Sequence, residues 1–279
     1  MTSKAPVGED SVLAACVQMR VGSDKERNLR TAFDLVRKAA DQGVRLVVLP
    51  ELFSWRGATA QMADAAESLE GRTVELLSEV AAEMRVTLVA GSILEAAGTA
   101  DALPFNTMVV LGPDGARLGV YRKMHLFDLE VPGGPVEKES ARFQAGHQPV
   151  CVSTPVGKIG LSICYDLRFP ELYRELVREG AEILVTPAAF TAHTGPAHWE
   201  VLLRARAIEN QCWMLAAAQV GPVTSGTEVW GHSALIDPWG SILDLRAEGE
   251  GLAMAVLDRS LGRAVRQQLP CLQHRRISL

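Results

Sequence analysis

The chain has 279 residues, 48% of them apolar and 22% charged, with a net charge of −5. That length accommodates one or two domains, and the acidic balance argues against nucleic acid or an anionic membrane as the main partner. No apolar run approaches the ~20 residues of a membrane span, and five scattered cysteines, an odd number, fit a reducing cytoplasm better than a disulfide framework.

The first ten residues are polar with no apolar stretch behind them. A flexible N-terminal tail over 1–10 is therefore expected, with no signal peptide, followed by a single domain over 11–279. Val12-Leu13-Ala14-Ala15-Cys16-Val17-Gln18-Met19 predicts a strand. Residues 28–42 carry Leu29, Phe33, Val36 and Ala40 at helical spacing, with Gly43 as the stop. Leu46-Val47-Val48-Leu49-Pro50-Glu51 reads as an apolar strand ending on a carboxylate. A helix over 73–84 and a strand over 86–92 come next, so the front of the chain alternates as in parallel α/β layers.

The middle changes character. Strands over 107–111 and 116–121 flank Gly112-Pro113-Asp114-Gly115, a tight hairpin turn. Residues 129–148 hold Gly133-Gly134-Pro135 and a charged run through Arg142. A segment that long and irregular is expected to border a pocket as a lid. A second hairpin joins 151–154 to 158–164 through Pro155-Val156-Gly157. Helices over 173–179 and 198–211 then alternate with strands over 183–186 and 213–218. A third hairpin links 231–236 to 241–245 through Asp237-Pro238-Trp239-Gly240. Hairpins among helical layers predict mixed sheets, and no internal repeat or long linker divides the chain.

Three polar residues end apolar strands: Glu51, Lys123 and Cys164. A nucleophilic thiol needs a base, positive charge for the oxyanion and a proton for the leaving group. Glu51, held in a low-dielectric strand end, is expected to have a raised pKa and to act as general base. Lys123 offers an ammonium, and the Tyr165 backbone N–H a second donor. A helix N-terminus just past Cys164 would favour its thiolate. Cys16 and Cys212, inside apolar runs, read as packing. A Cys–His pair through His125 or His232 is the competing arrangement. His193 and His198 lack a third ligand for zinc, and there is no phosphate-binding or dinucleotide fingerprint.

Leu49-Pro50-Glu51, Tyr121-Arg122-Lys123-Met124-His125-Leu126-Phe127 and Ile163-Cys164-Tyr165-Asp166-Leu167-Arg168-Phe169-Pro170-Glu171 together resemble the carbon–nitrogen hydrolases of the nitrilase superfamily. The resemblance runs from about Val12 to the C-terminus. It implies an α/β fold, a four-layer α-β-β-α sandwich with mixed sheets. It also implies a Glu51–Lys123–Cys164 triad, with Glu139 orienting the lysine and the substrate amide. Pro187-Ala188-Ala189-Phe190-Thr191, Thr194-Gly195-Pro196-Ala197-His198-Trp199-Glu200 and Gln273-His274-Arg275-Arg276 resemble the Nit branch of amidases. Tyr165-Asp166 after the cysteine favours amides over nitriles.

The implied reaction converts a small carboxylated amide to acid plus ammonia through a thioester, with no metal or organic cofactor. Deaminated glutathione is the expected substrate, and α-ketoglutaramate or an N-carbamoyl amide the alternative. A silent scaffold is the reading from another class. Arg168 is the candidate for gripping a substrate carboxylate, against a structural pairing with Asp166. Phe190 and Thr194 are expected to wall the pocket, against a helix-cap role for Thr194. Arg204 is explained at least as well by an ion pair with Glu200. The resemblance further implies a homodimer or higher homo-oligomer, with its face on the helix around Trp199-Leu202-Leu203 or on the one after Pro170.

Overall fold

Alternation along Ala14-Ala15-Cys16-Val17 sorts the molecule into layers. Ala14 and Cys16 turn into a cluster with Ile159, Leu161, Met214 and Leu235, whereas Ala15 and Val17 pack on Leu29, Phe33, Val36 and Leu77. Because strand side chains point to opposite faces in turn, one face of this strand meets a second sheet and the other meets helices. The computed structural model describes residues 10–99, 102–130, 136–222 and 228–277. Residues 1–9 of the expected tail and Gly133-Gly134-Pro135 of the expected lid lie outside the described residues.

The first sheet runs Gly251–Asp258, Ser11–Gln18, Leu46–Val48, Thr87–Val89, Phe105–Leu111, Ile93–Glu95, with Arg117–Arg122 also paired to Phe105–Leu111. Ser11–Gln18, Leu46–Val48 and Thr87–Val89 are parallel, and the others join antiparallel. The second sheet runs Ile242–Arg246, Ser233–Ile236, Trp213–Ala216, Ile183–Val185, Gly157–Leu161, Cys151–Thr154, parallel in its middle three strands. Their inner faces share one core, in which the Cys16 thiol contacts the Ala234 carbonyl of the opposite sheet. Helices Lys25–Ala40 and Arg72–Met84 bury Leu29, Phe33, Val36, Val74, Leu77 and Val80 against the first sheet. Helices Pro170–Arg178 and Gly195–Asn210 bury Leu172, Tyr173, Leu176, Trp199 and Leu203 against the second. The result is the expected α-β-β-α sandwich with mixed sheets.

The predicted helices begin earlier than their apolar periodicity suggests, because residues outside that apolar pattern start them. Asp24 caps the first helix, its side chain accepting from the Arg27 N–H. Pro196 occupies the first turn of Gly195–Asn210, where a missing N–H costs nothing. The expected lid is more regular than its composition implies: Asp128–Glu130 pairs antiparallel with Val136–Lys138, and a 3-10 turn comes next at Glu139–Ala141. On the helix named as one expected oligomer face, Trp199 and Leu203 themselves are buried in the core. Val201 and Ile208 are the large apolar residues that this helix exposes, and Trp239, in the turn after Ser233–Ile236, is exposed as well.

Candidate active site

Glu51, Lys123, Glu139 and Cys164 come from four separate segments and line one cavity. Each stands just past a regular element, where the chain is free to turn. The strand carrying Glu51 ends at Val48. Glu51 then precedes Leu52, whose φ of 46° lies in the left-handed region. That turn is fixed by the Ser92 hydroxyl, which accepts from the Leu52 N–H at 2.8 Å. Gly91 makes the close approach possible: a Cβ there would stand 2.0 Å from the Pro50 carbonyl oxygen. Lys123 comes directly after Arg117–Arg122, and its N–H donates to the Asn106 carbonyl at 2.9 Å.

The strand before Cys164 ends at Leu161, and Cys164 opens a 3-10 turn with φ 46°. A β-branched or bulky residue would be strained there, and the sharp reversal lifts the sulfur out of the sheet. Beneath it, the Ser162 hydroxyl meets the Val185 carbonyl, Tyr173 and Thr186 at 2.7–2.8 Å. Asp166 is fully buried and ties the turn down. It accepts from the Ile163 N–H at 2.8 Å, the Tyr121 hydroxyl at 2.7 Å and the His125 N–H at 3.1 Å, and its Oδ1 lies 2.7 Å from His125 Nδ1. One carboxylate thus clamps the Cys164 turn to the segment that carries Lys123.

The charges are arranged around the lysine. Lys123 Nζ donates to Glu51 Oε1 at 2.9 Å and to Glu139 Oε1 and Oε2 at 2.9 and 2.8 Å. Asn106 Nδ2 donates to Glu51 Oε1 at 2.9 Å, the Ala189 N–H to Glu51 Oε2 at 2.8 Å and the Phe127 N–H to Glu139 Oε2 at 2.6 Å. Burial alone would raise the Glu51 pKa, but the Lys123 charge and hydrogen bonds, with a smaller contribution from the Cys164 thiol, hold it below its ordinary value. The expected raised carboxyl is therefore corrected. Burial likewise opposes the Lys123 ammonium, yet Glu139 and Glu51 outweigh it and keep the group protonated.

Burial pushes the Cys164 thiol well above its ordinary value, the Glu51 charge adds to this, and Lys123 only partly offsets it. The expected thiolate at a helix N-terminus is corrected too, because Cys164 begins a five-residue 3-10 turn and not an α-helix. At rest the site holds a neutral thiol beside an ionised carboxylate.

Neither histidine of the competing Cys–His arrangement faces the sulfur. His125 binds Asp166 and stacks on Phe169, and His232 contacts the Trp230 carbonyl and stacks on the Trp230 ring. Arg168 shares a side lobe with Phe127, Cys164, Tyr165, Ala189, Phe190, Thr191 and Thr194. Its guanidinium lies 5.8 Å from the Tyr165 ring centroid and 5.2 Å from that of Phe190. The alternative pairing of Arg168 with Asp166 does not form, since Nη1 reaches His198 Nδ1 at 3.2 Å instead. Thr194 stands at the helix start without a side-chain capping bond, its hydroxyl 3.1 Å from that of Thr191. Arg204 pairs with Glu200 at 3.7 Å and with the Gly240 carbonyl.

Sequence reasoning passed over Asn106, Asp166 as an anchor, and the cavity residues Trp55, Arg56, Glu137, Arg142 and Phe143. A signal existed for Asn106, a lone amide inside the apolar run Phe105–Leu111. None marked Arg56, which is brought to the cavity by a turn. Among the described residues, no helix is long and apolar enough to cross a membrane, and no group of three or more His, Cys, Asp or Glu is placed to hold a metal.

A sandwich with a carboxylate, a lysine and a cysteine gathered at its strand ends is the architecture of carbon–nitrogen hydrolases, and residues 13–267 match the model of that family, "Carbon-nitrogen hydrolase". The chain belongs to this family and is a hydrolase of carbon–nitrogen bonds, an amidase in kind. It is 45% identical over 266 residues to the deaminated glutathione amidase of Synechocystis, covering 94% of this chain and 97% of that one. It is 41% identical over 266 residues to the mouse omega-amidase NIT2, covering 95% of each. Among solved structures it superposes on the C. elegans NitFhit protein with a TM-score of 0.91 and 38% identity, over 96% of this chain and 65% of that one. An amidase from Nesterenkonia, with the acetamide moiety of fluoroacetamide covalently added at its active-site cysteine, matches at a TM-score of 0.80 and 26% identity, over 98% of this chain and 97% of that one.

Proposed function

We propose that this chain hydrolyses ω-amides of 2-oxo acids, with deaminated glutathione as the favoured substrate and Cys164 as the nucleophile. The observation that carries the reading is Lys123 held between Glu51 and Glu139 in the cavity that Cys164 lines. Packing alone has no use for two buried carboxylates and an ammonium, since desolvating them is costly. The order of similarity to the two kinds of relative favours deaminated glutathione over α-ketoglutaramate.

The resting protonation states dictate how the reaction starts. With the thiol pKa raised and the Glu51 pKa lowered, transferring the proton before attack is uphill. Proton transfer to Glu51 therefore accompanies formation of the S–C bond. The carbonyl electron pair moves to oxygen, where the Lys123 ammonium and the Tyr165 N–H receive it. Collapse of this intermediate breaks the C–N bond, and Glu51 returns its proton to the departing amine, leaving a thioester. Water, deprotonated by Glu51, then attacks the thioester and releases the carboxylic acid, and the thiol regains its proton. Glu139, bonded to Lys123 through both oxygens, positions the ammonium. Arg168 grips the carboxylate of the 2-oxo acid, walled by Phe190 and Thr194. Among the side chains of this site no step calls for a metal or organic cofactor.

The identity of the leaving group needs correcting against the expectation of ammonia. Deaminated glutathione is glutathione whose glutamyl amine has become an oxo group, so it holds no primary amide. Cutting its 2-oxoglutaryl amide frees a dipeptide amine. Ammonia comes only from α-ketoglutaramate. Both substrates share the acyl group, so 2-oxoglutarate release is the common readout. Turnover of deaminated glutathione and α-ketoglutaramate, assayed side by side through 2-oxoglutarate, tests the reading, and no release from either overturns it.

The same proposal takes 11–279 as one catalytic domain working in the cytoplasm, where the five free thiols stay reduced. It also takes the protein as a homodimer or higher homo-oligomer through Val201, Ile208 and Trp239, which are 66%, 48% and 60% exposed. Light scattering of the protein and of Val201→Glu is the check: a monomer in both contradicts the assembly.

A further inference from the structure

Asn106 touches all three charged groups of the site without carrying a charge. It is fully buried in the strand Phe105–Leu111. Its backbone carbonyl accepts from the Lys123 N–H at 2.9 Å. Its Nδ2 donates to Glu51 Oε1 at 2.9 Å and makes a longer contact of 3.4 Å with Glu139 Oε1. Lys123 Nζ donates to the same two oxygens, at 2.9 Å each. An ammonium and an amide NH₂ thus bridge one pair of carboxylate oxygens.

Charge fixes which way the amide points. Turned over, it would set Oδ1 against two carboxylates. As placed, Oδ1 is buried with no hydrogen-bond partner. An unpaired buried acceptor is costly, and a leucine of similar shape would fill the position without one. Packing therefore does not explain Asn106, whereas its two donors do.

The number of donors on Lys123 shows what they are for. An ammonium has three N–H groups, and at rest all three have acceptors: Glu51 Oε1, Glu139 Oε1 and, at 2.8 Å, Glu139 Oε2. To reach the oxyanion, Lys123 must turn one N–H away from a carboxylate. Each carboxylate oxygen has a second donor that remains. The Ala189 N–H holds Glu51 Oε2 at 2.8 Å, the Phe127 N–H holds Glu139 Oε2 at 2.6 Å, and Asn106 serves both Oε1 atoms. Without Asn106, an Oε1 atom released by Lys123 would keep no N–H donor among the described residues. That penalty falls on the transition state, where the exchange happens, and not on the resting complex, so it lowers kcat and spares KM.

We propose that Asn106 is a positioning residue that holds Glu51 and Glu139 in place while Lys123 exchanges a hydrogen bond from a carboxylate to the oxyanion. The proposal rests on the amidase mechanism given above and deepens it by stating how the ammonium becomes available.

The test uses the purified full chain and Asn106→Leu, with deaminated glutathione and α-ketoglutaramate as substrates and 2-oxoglutarate release as the readout. Leucine keeps the volume of the side chain and removes both donors. The kcat is expected to fall about tenfold to a hundredfold, the scale of a slightly misplaced catalytic group, with KM within about threefold of the wild type. The acid limb of kcat/KM is expected to move to higher pH, because Glu51 loses a hydrogen bond to its ionised form. The titratable and charged groups that act on Glu51 are Lys123, Cys164 and Arg56, with Glu139 across the lysine, and all are unchanged in the variant. Neither KM nor the position of the limb depends on how much of a preparation is folded. If the leucine variant fails to fold, Asn106→Ser is the second variant: its hydroxyl stops short of the Nδ2 position, and the same split is expected. A kcat within about twofold of the wild type, a loss carried by KM, or an acid limb that does not move overturns the proposal. Failure of the underlying mechanism looks different: the wild type itself then releases no 2-oxoglutarate from either substrate, and the proposal falls with it.

Discussion

Cys164 and Cys212 are both buried thiols, and the contrast between them shows where reactivity comes from. Burial pushes the Cys212 pKa up to about 12, even though the Arg266 guanidinium lies 3.1 Å from its sulfur. Burial raises Cys164 as well, and an adjacent carboxylate makes its thiolate harder still to form. Thiol acidity alone does not mark out Cys164, since burial raises both thiols and each has a cation nearby that only partly offsets it. Yet Cys212 sits where the chain enters Trp213–Ala216, packed in the core with its sulfur against the Ala181 and Asn210 carbonyls. Cys164 instead ends a strand at a left-handed turn and lines a cavity with a base and an ammonium. In the proposed mechanism the site works through a proton acceptor and an oxyanion partner, with the thiol kept neutral until substrate arrives.

The largest expected effect sharpens that contrast. Cys164→Ala should lower kcat/KM by about 10⁴-fold or more, as for removal of a nucleophile from a unit that acts together. Cys212→Ala should leave kcat/KM within about twofold and cost roughly 1 kcal/mol of stability in urea titration, through its lost polar contacts. Comparable losses of turnover in the two variants would erase the distinction.

Next in size is Lys123→Met. Loss of the oxyanion partner should cost about 10²–10³-fold in kcat. The two carboxylates left facing each other should cost about 3–5 kcal/mol of stability. The pH profile should move as well. In the wild type Glu51 is held below its ordinary value of 4.5, so it stays ionised at neutral pH and the acid limb of kcat/KM should fall below about pH 4.5. Without Lys123, burial dominates and the limb should shift to higher pH. A wild-type limb between pH 6 and 7 would contradict the depressed pKa. The sign for stability is the same: a depressed carboxyl contributes stability above its unfolded pKa and loses it as the pH falls through the folded value. Acidification from pH 5 to 3 should therefore destabilise the wild type more than Glu51→Gln, as read by thermal melts.

The smallest expected effect concerns the side lobe that Arg168 lines. Arg168→Lys should raise KM for α-ketoglutaramate roughly tenfold, because an ammonium cannot reproduce a bidentate contact. An unchanged KM would assign Arg168 to packing between Tyr165 and Phe190.

The layers and the positions of Glu51 and Cys164 were legible because each is a polar residue just past an apolar strand, and that of Lys123 because it ends a hairpin strand. Glu139 was legible only through the family resemblance, since its segment looks like any charged loop. The protonation states were not legible, because they depend on Lys123 lying between two carboxylates from distant segments. The strand Gly251–Asp258 escaped because its inward positions are Gly251, Ala253, Ala255 and Leu257. That alternation has little hydrophobic contrast, and the strand's partner Ser11–Gln18 lies at the other end of the chain. Arg56 reaches the cavity through a turn held by Gly22 and Gln219, contacts that leave no periodic mark in sequence.

If Cys164 is the atom that takes the acyl group, enzyme quenched in acid during turnover should carry it. Mass spectrometry of the digested protein should find one adduct, with the mass of a 2-oxoglutaryl group, on the peptide containing Cys164. The adduct should be identical whether deaminated glutathione or α-ketoglutaramate was supplied, and absent from the Cys212 peptide. Turnover with no adduct on Cys164, or with the acyl group on another residue, would contradict the account.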